Sequence, residues 1–283
     1  MAPTTDSSTT ANDRAAGVID HRDRIAPPTL RRDYMATNTP VVLHGMMRDW
    51  PALSRWSFEY FAEIADDRTH RVDVGNVMQE PTRLDTADLR GYLADLAAGT
   101  APAGGTRYLA NVDLFGTFPD LRADIDMSLI HDNKRHVVAS GWFGPAGTFT
   151  GWHTDYADNV LAQIHGRKVV DLIPPGLGRG MYPSRKFDRG ATLSSIGDGS
   201  QLTGFPLHRF LRHERVELAP GSMIFIPKGW WHRVRSVDPS ISVSFLGFSW
   251  AEEFGLPRNL ARARTALHLA RVYGRDCTCH VRH

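Results

Sequence analysis

The sequence predicts a mainly β protein, an antiparallel sandwich or barrel with flanking helices. Two observations carry that reading. After about residue 136 the chain consists of short apolar or alternating stretches separated by Gly, Pro and Asn, the texture of an all-β unit. The 283 residues are 42% hydrophobic and 23% charged, enough apolar mass for a real core in one large β-rich domain or two smaller ones. No cross-link relieves the core of that task, because the two cysteines, Cys277 and Cys279, both fall in the last seven residues.

Residues 1–17 are Thr, Ser, Asp, Ala and Asn with almost no large apolar side chain, so they form a disordered tail outside the fold. Residues 18–135 form an α/β region that packs on the barrel. Within it, 39–45 (TPVVLHG) reads as a strand, and helices start near Ser57 and near Asp85, both placed as N-caps. Residues 136–250 are the β unit. Its strands are expected over 136–143, 147–155, 159–164, 167–173, 192–196, 214–219, 221–227 and 231–248, the last divided by a turn. The runs 159–164 and 167–173 look like a hairpin closed by His165-Gly166, with Gly supplying a positive φ. Between Pro174 and His213 lies a Gly-, Arg- and Ser-rich excursion, too long for an ordinary connection and read as a lip or lid. Residues 251–275 form a C-terminal helix with Leu260, Ala263, Leu267 and Ala270 at helical spacing, and 276–283 form a flexible tail.

A formal net charge of +2 gives no whole-protein field toward nucleic acid or an anionic membrane. The Arg-rich tail is the one feature that favours nucleic acid. No apolar run approaches the length of a membrane span, and the N-terminus lacks a basic start followed by an apolar stretch, so the expected location is cytoplasmic.

The chemistry concentrates in Gly151-Trp152-His153-Thr154-Asp155 and, 77 positions after the Asp, Gly229-Trp230-Trp231-His232. Residues two apart in a strand share a face, so His153 and Asp155 converge on one point. Two histidines and a carboxylate form the facial triad that suits Fe(II) and leaves positions open. Zinc accepts the same donors, and the motif alone allows either metal. A bare H-x-D is a weak signal, since His21-Arg22-Asp23 matches it in a polar segment with no strand pattern. Context separates the two: the 153–155 copy follows a strand and has a distal histidine and a lysine. The bland alternative, two satisfied core histidines beside tryptophans, stays open here.

That lysine is Lys168. Only four lysines occur, at 134, 168, 186 and 228, and Lys168 has apolar alternate neighbours in RKVVDLI. Its stem can cross a barrel interior and present an ammonium to an acid. Asp171, three positions on, points to the opposite face, so a small-molecule carboxylate is the natural partner. Thr150 and Tyr108 are candidates to add hydroxyls to it. The competing reading is an edge-strand lysine reaching water.

The blocks GTFTGWHTDYADNVLAQIHGRKVVDLIPP and GSMIFIPKGWWHRVRSVDPSISVSF, with TPVVLHGMMRDWPALSRWSFEYF and RYLANVDLFGTFPDLRADI upstream, resemble one family. It is the cupin-like JmjC proteins, Fe(II)- and 2-oxoglutarate-dependent oxygenases related to the asparagine hydroxylase that inhibits hypoxia-inducible factor. The likeness spans about residues 18–250 and is nearest the protein-hydroxylase branch. It implies a double-stranded β-helix (jelly-roll, cupin-like) core, iron ligands His153, Asp155 and His232, and Lys168 on the distal carboxylate of 2-oxoglutarate with Thr150 and Tyr108. It also implies Asn159 at the cosubstrate or iron site and Ser244 at a cosubstrate-side position. Where many relatives have Pro just before the first histidine, Gly151-Trp152 stands here, which leaves the substrate class open.

The resemblance further implies a hydroxylase that uses O2 and releases succinate and CO2, acting on a protein or peptide side chain, with a homodimer formed through the C-terminal helix. The alternatives are a small-molecule or RNA-base hydroxylase of the same family, or a cupin-fold metal protein, such as an isomerase or zinc hydrolase, that ignores 2-oxoglutarate. The last predicts that Lys168 is dispensable. A zinc clip of Cys277, Cys279, His280 and His283 fits no common spacing.

Overall fold

The chain alternates between two facing sheets. In the computed structural model, which describes residues 19–66, 69–74, 83–100, 106–188, 190–196, 202–249, 256–272 and 277, fourteen strands are present. They are β1 (Asp20–Arg22), β2 (Val41–Leu43), β3 (Thr69–Val74), β4 (Arg83–Asp88), β5 (Arg107–Asp113), β6 (His136–Gly144), β7 (Phe149–Asp155), β8 (Asp158–His165), β9 (Lys168–Ile173), β10 (Ala191–Leu193), β11 (Glu214–Leu218), β12 (Met223–Ile226), β13 (Trp231–Ser236) and β14 (Ser240–Phe248). The larger sheet has the order β1-β2-β12-β8-β14-β6-β5-β3-β4, the smaller β10-β7-β13-β9-β11. From β6 to β9 and again from β11 to β14 each successive strand crosses to the other sheet, which is the path of a jelly roll, while β9, β10 and β11 all lie in the smaller sheet.

Sequence explains the layers. β8 reads DNVLAQIH and is buried along all but its last residue, because both faces are covered. Leu161 joins Val170, Leu172, Val216, Leu218, Ile224 and Ile226 between the sheets. Val160, Ala162 and Ile164, one position out of phase, meet Tyr34, Trp50, Trp56, Phe61 and Leu93 of the N-terminal region on the outer face of the larger sheet. The N-terminal region thus adds five strands to the larger sheet and a helical layer outside it. Ser57 caps the helix Phe58–Ile64, its Oγ accepting from the Tyr60 amide at 3.2 Å.

Two local expectations are corrected. The second helix starts at Leu89, not near Asp85. Asp88 is the cap and accepts from the Gly91 amide at 2.6 Å, while Asp85 lies in β4 and accepts from Arg107 at 2.9 Å. In D-T-A-D either aspartate can cap, and pairing of Arg83–Asp88 with β3 selects the later one. His165-Gly166 does not close a hairpin either. β8 belongs to the larger sheet and β9 to the smaller, so the turn carries the chain across the sandwich. Gly166 has φ +68°, and a Cβ there would collide with the carbonyl oxygen of Pro239. Gly166→Ala is therefore expected to cost more than the roughly 1–2 kcal/mol of left-handed backbone alone. A urea melt checks this, and an unshifted midpoint would show that the turn relaxes.

The helix Leu256–Leu269 is shorter than expected, and 251–255 lie outside the described residues. So do the 1–17 tail and, in the C-terminal tail, Cys279, His280 and His283, while the backbone of Cys277 pairs with that of Phe187 in an isolated parallel β-bridge. No helix among the described residues is long and apolar enough to cross a membrane.

Candidate metal and cosubstrate site

His153 and Asp155 come from β7 and His232 from the adjacent β13, where His232 stands opposite His153 in register. The Nε2 atom of His153 is 3.7 Å from one carboxylate oxygen of Asp155, and Nε2 of His232 is 3.6 Å from the other. One ligand atom from each of the three lies within 4.8 Å of the others, and they are the one such group of three among the described residues. His21 instead stacks on His44 at the surface, with Nδ1 3.1 Å from the His44 Nε2. It lies in the short strand β1, which the polar sequence did not announce.

Both imidazoles of the cluster are oriented from behind. Nδ1 of His153 is 2.8 Å from the Gly151 carbonyl oxygen, and Nδ1 of His232 is 3.1 Å from that of Trp230. An N–H donated to each carbonyl leaves Nε2 with its lone pair facing Asp155. Burial, reinforced by the neighbouring His153, pulls His232 down to about 4, so this imidazole is neutral at physiological pH. Asn159 of β8 donates its amide N–H to Asp155 at 3.0 Å, and its own Oδ1 is buried with no partner. The donor set fits a divalent ion held by two neutral imidazoles and a carboxylate.

A bulge in β7 brings the next residue into line. Between His232 and Val234 the β13 chain advances two residues, while β7 advances three, from His153 back to Thr150. The extra residue lets Thr150 and His153, three apart, both face the interior, while Trp152, the neighbour of His153, faces outward. Thr150 then lies beside the Tyr108 hydroxyl of β5 and partly offsets the effect of burial on that phenol. Strict alternation would have placed Thr150 on the wrong face, and the Gly before Trp152 was the available sign of a bulge.

Lys168 is buried between the sheets, only 1% exposed, on the same face as Val170 and Leu172. Its ammonium donates to the Tyr108 hydroxyl at 3.1 Å and to the Ser242 hydroxyl. Burial lowers its pKa to about 7, and the same burial pushes the Tyr108 phenol far up. Ser242 escaped the sequence reading, although Ser240, Ser242 and Ser244 recur at period two in an otherwise apolar strand. Ser244 accepts from the Trp142 indole at 2.9 Å, and that ring lies 5.9 Å from Tyr108, so Ser244 reaches the lysine pocket only through Trp142.

On the outer face of the smaller sheet, Asp171 accepts from Arg233 at 2.6 Å and from Arg215 at 2.7 and 3.1 Å. Arg233 also lies over the Trp152 ring at 4.9 Å. Arg233 and Trp152 each adjoin an imidazole of the triad, so this clamp ties β7 and β13 together behind the site. Burial would raise the Asp171 carboxyl, but the two guanidiniums prevail and hold it low. Its stabilisation is thus complete above the usual carboxylate range and fades as pH falls through the lowered value. Asp171→Ala leaves the mostly buried Arg233 guanidinium without its acceptor, while the exposed Arg215 turns to solvent, and is expected to cost about 2–3 kcal/mol in chemical unfolding. A loss below about 1 kcal/mol would show that solvent already carries those charges.

A model of the cupin-like domain family matches residues 27–246. The chain is 33% identical over 224 residues to lysine-specific demethylase 8 of Xenopus tropicalis, covering 76% of this chain and 49% of that protein. It is 32% identical over 240 residues to lysine-specific demethylase JMJ30 of Arabidopsis thaliana, with 83% and 55% covered. It is 28% identical over 262 residues to human HSPB1-associated protein 1, with 84% and 53% covered. The chain spans about half the length of the curated relatives it matches. A jelly roll with a buried His-Asp-His cluster, matched by the family along most of its length, therefore belongs to the cupin-like JmjC family of Fe(II)- and 2-oxoglutarate-dependent oxygenases.

Proposed function

We propose that the chain is an Fe(II)- and 2-oxoglutarate-dependent hydroxylase of a protein or peptide side chain. The observation that carries this reading is Lys168, an ammonium sealed between two sheets with hydroxyls beside it and Asp171 on the opposite face. A buried cation of that kind asks for an anion, and the distal carboxylate of 2-oxoglutarate supplies one. A cupin-fold metal protein without the cosubstrate gives the lysine nothing to do.

His153, Asp155 and His232 would hold the metal, and Lys168, Tyr108, Thr150 and Ser242 would hold the cosubstrate carboxylate. Iron and 2-oxoglutarate, when bound, supply the oxidation: O2 and 2-oxoglutarate become succinate and CO2, and a substrate C–H becomes C–OH. The chain's own part is orientation. Asn159 fixes the Asp155 carboxylate, and the carbonyls of Gly151 and Trp230 fix the imidazoles.

The reading is tested by succinate formation from protein loaded anaerobically with Fe(II), then given 2-oxoglutarate and air, beside His153→Ala and Lys168→Ala. Uncoupled turnover that needs both residues supports it, and absence of both 2-oxoglutarate binding and succinate would sink it. Substrate peptides would then gain the mass of one oxygen atom. Loss of a methyl group with release of formaldehyde would instead align the chain with the relatives named demethylases.

The C-terminal helix supports a homodimer, because Leu260, Leu267, Leu269 and Val272 are exposed along it and beyond its end. Light scattering on the full chain is expected to give twice the chain mass, and Leu260→Glu with Leu267→Glu to halve it. A wild-type monomer refutes the dimer.

A further inference from the structure

We infer that the lobe formed by the excursion from Pro174 to His213 is a docking surface for an acidic peptide segment bearing apolar side chains. This deepens the hydroxylase reading and rests on it, since it names the class of protein substrate that the site would receive.

The described residues of the excursion, 174–188, 190–196 and 202–213, pack around a core seated on the sheet. Met181 and Ile196 pack with Trp152, Ile173 and Trp231 on the outer face of the smaller sheet, and Tyr182, Leu202, Phe205 and Leu211 pack around them. Two turns, Pro175–Met181 and His208–Phe210, lie against each other. His208 Nδ1 is 3.3 Å from the Gly180 carbonyl oxygen, the Leu207 amide donates to the Tyr182 hydroxyl at 3.1 Å, and Leu211 closes on Gly180 so tightly that a Cβ there would have no room. The lobe therefore buries the apolar side chains it can reach, and it leaves three large ones outside. Phe210 is 71% exposed, Leu207 51% and Leu177 43%, all on those two adjoining turns.

The charge around them is predominantly positive. From 174 to 213 the sequence carries six Lys or Arg against two Asp, a net +4 within a chain whose total is +2. Arg179, Arg185, Arg209 and Arg212 are exposed, and among the described residues no carboxylate pairs with any of them. Arg209 lies over the Phe210 ring at 4.7 Å, so cation and aromatic are presented together. Exposed apolar side chains in a field of unpaired guanidiniums match acidic residues interspersed with Leu, Phe or similar. Nucleic acid fits less well: two of the three apolar groups are aliphatic and offer no face for a base, and the one aromatic ring is already covered by Arg209.

The lobe is continuous with the candidate site. Its strand β10 pairs with the ligand strand, Leu193 opposite His153 and Ala191 opposite Asp155, and Thr192 Oγ1 is 3.1 Å from the exposed Tyr156 hydroxyl. A peptide held on the lobe is thereby held beside the strand that carries two of the three ligands.

The test uses the full chain and a fluorescein-labelled peptide in which paired Glu flank Leu and Phe, followed by anisotropy. Binding is expected to weaken with salt, and about tenfold in each of Arg209→Glu and Phe210→Ser, both exposed positions whose substitution is checked by an unchanged melt. Equal binding of a peptide with Lys in place of Glu, unaltered affinity in both variants, or tighter binding of poly(U) RNA or phosphatidylserine vesicles than of the acidic peptide would each overturn the inference. Wild-type protein that forms succinate but ignores the peptide removes the docking surface and leaves the oxygenase. Wild-type protein that binds the peptide but neither binds 2-oxoglutarate nor makes succinate does the reverse.

Discussion

Asp155→Ala is expected to reduce succinate formation to that of a protein-free control and to abolish retention of Fe(II) after gel filtration. Asp155 touches both imidazoles, at 3.7 and 3.6 Å, and is the one anionic member of the cluster. Without it only the two imidazoles remain, and His232, already pulled down to about 4 by burial, loses the carboxylate that favours positive charge there. The metal then loses a ligand and its charge balance together. Asn159→Ala is the calibrating variant. Its side chain orients Asp155 through one 3.0 Å bond and stands outside the triad, so a loss of roughly 10–100-fold in metal affinity is expected. Binding of Co(II) by its visible absorption separates the two variants without reference to turnover. If Asp155→Ala still holds the metal with native affinity, the cluster is not the metal site.

The legible parts of this molecule are those written in residue type and period. All nine strands from β6 to β14 fall on the stretches that alternate or run apolar, because a sheet covered on both faces must be built from such stretches. His153 and Asp155 were readable because strand geometry sends residues two apart to one face, His232 because its Gly-Trp-Trp-His segment resembles the distal-histidine block of the family, and Lys168 because an isolated lysine in an apolar alternation needs a reason. What escaped depends on distant partners. Which sheet receives β9 after Gly166 is decided by which strands flank it, and a two-residue turn looks alike whether it folds the chain back or carries it across. Asp88 outcompeted Asp85 as a cap because β3 claimed the residues between them. Ser242 was hidden among three serines of equal merit, and only the approach of Lys168 from the other sheet distinguishes it.

The Pro174 to His213 excursion shows the same boundary from another side. Its composition marked it as more than a connection, yet composition does not tell a lid over the mouth from a lobe on the wall. The described residues form a lobe on the outer face of the smaller sheet, because Met181 and Ile196 find Trp152 there. Trp152 points that way because it is the neighbour of the inward-facing His153, and successive residues of a strand face opposite sides.

Lys168→Met separates what the lysine does for the fold from what it does for the ligand, and the two effects are expected to have opposite signs. In the unfolded chain this ammonium titrates at its ordinary 10.5; burial lowers the folded value to about 7. Below pH 7 both states carry the charge and the folded state bears the whole desolvation cost. Between 7 and 10.5 the unfolded state binds more protons, so wild-type stability rises with pH across that window. Methionine removes the cost, and the variant is expected to melt above wild type at pH 6, with the gap closing toward pH 10. Cosubstrate binding moves the other way. A carboxylate gains its partner only when the lysine is protonated, so wild-type affinity for 2-oxoglutarate is expected to be flat below pH 7 and to fall about tenfold per unit above it. In Lys168→Met the affinity drops roughly 30-fold or more, as when one member of a buried charge pair is truncated, and the slope above pH 7 disappears. A residue kept for packing would give the opposite record: a less stable variant that binds 2-oxoglutarate as before. The ammonium is costly to the empty barrel, and the return appears only when a carboxylate arrives.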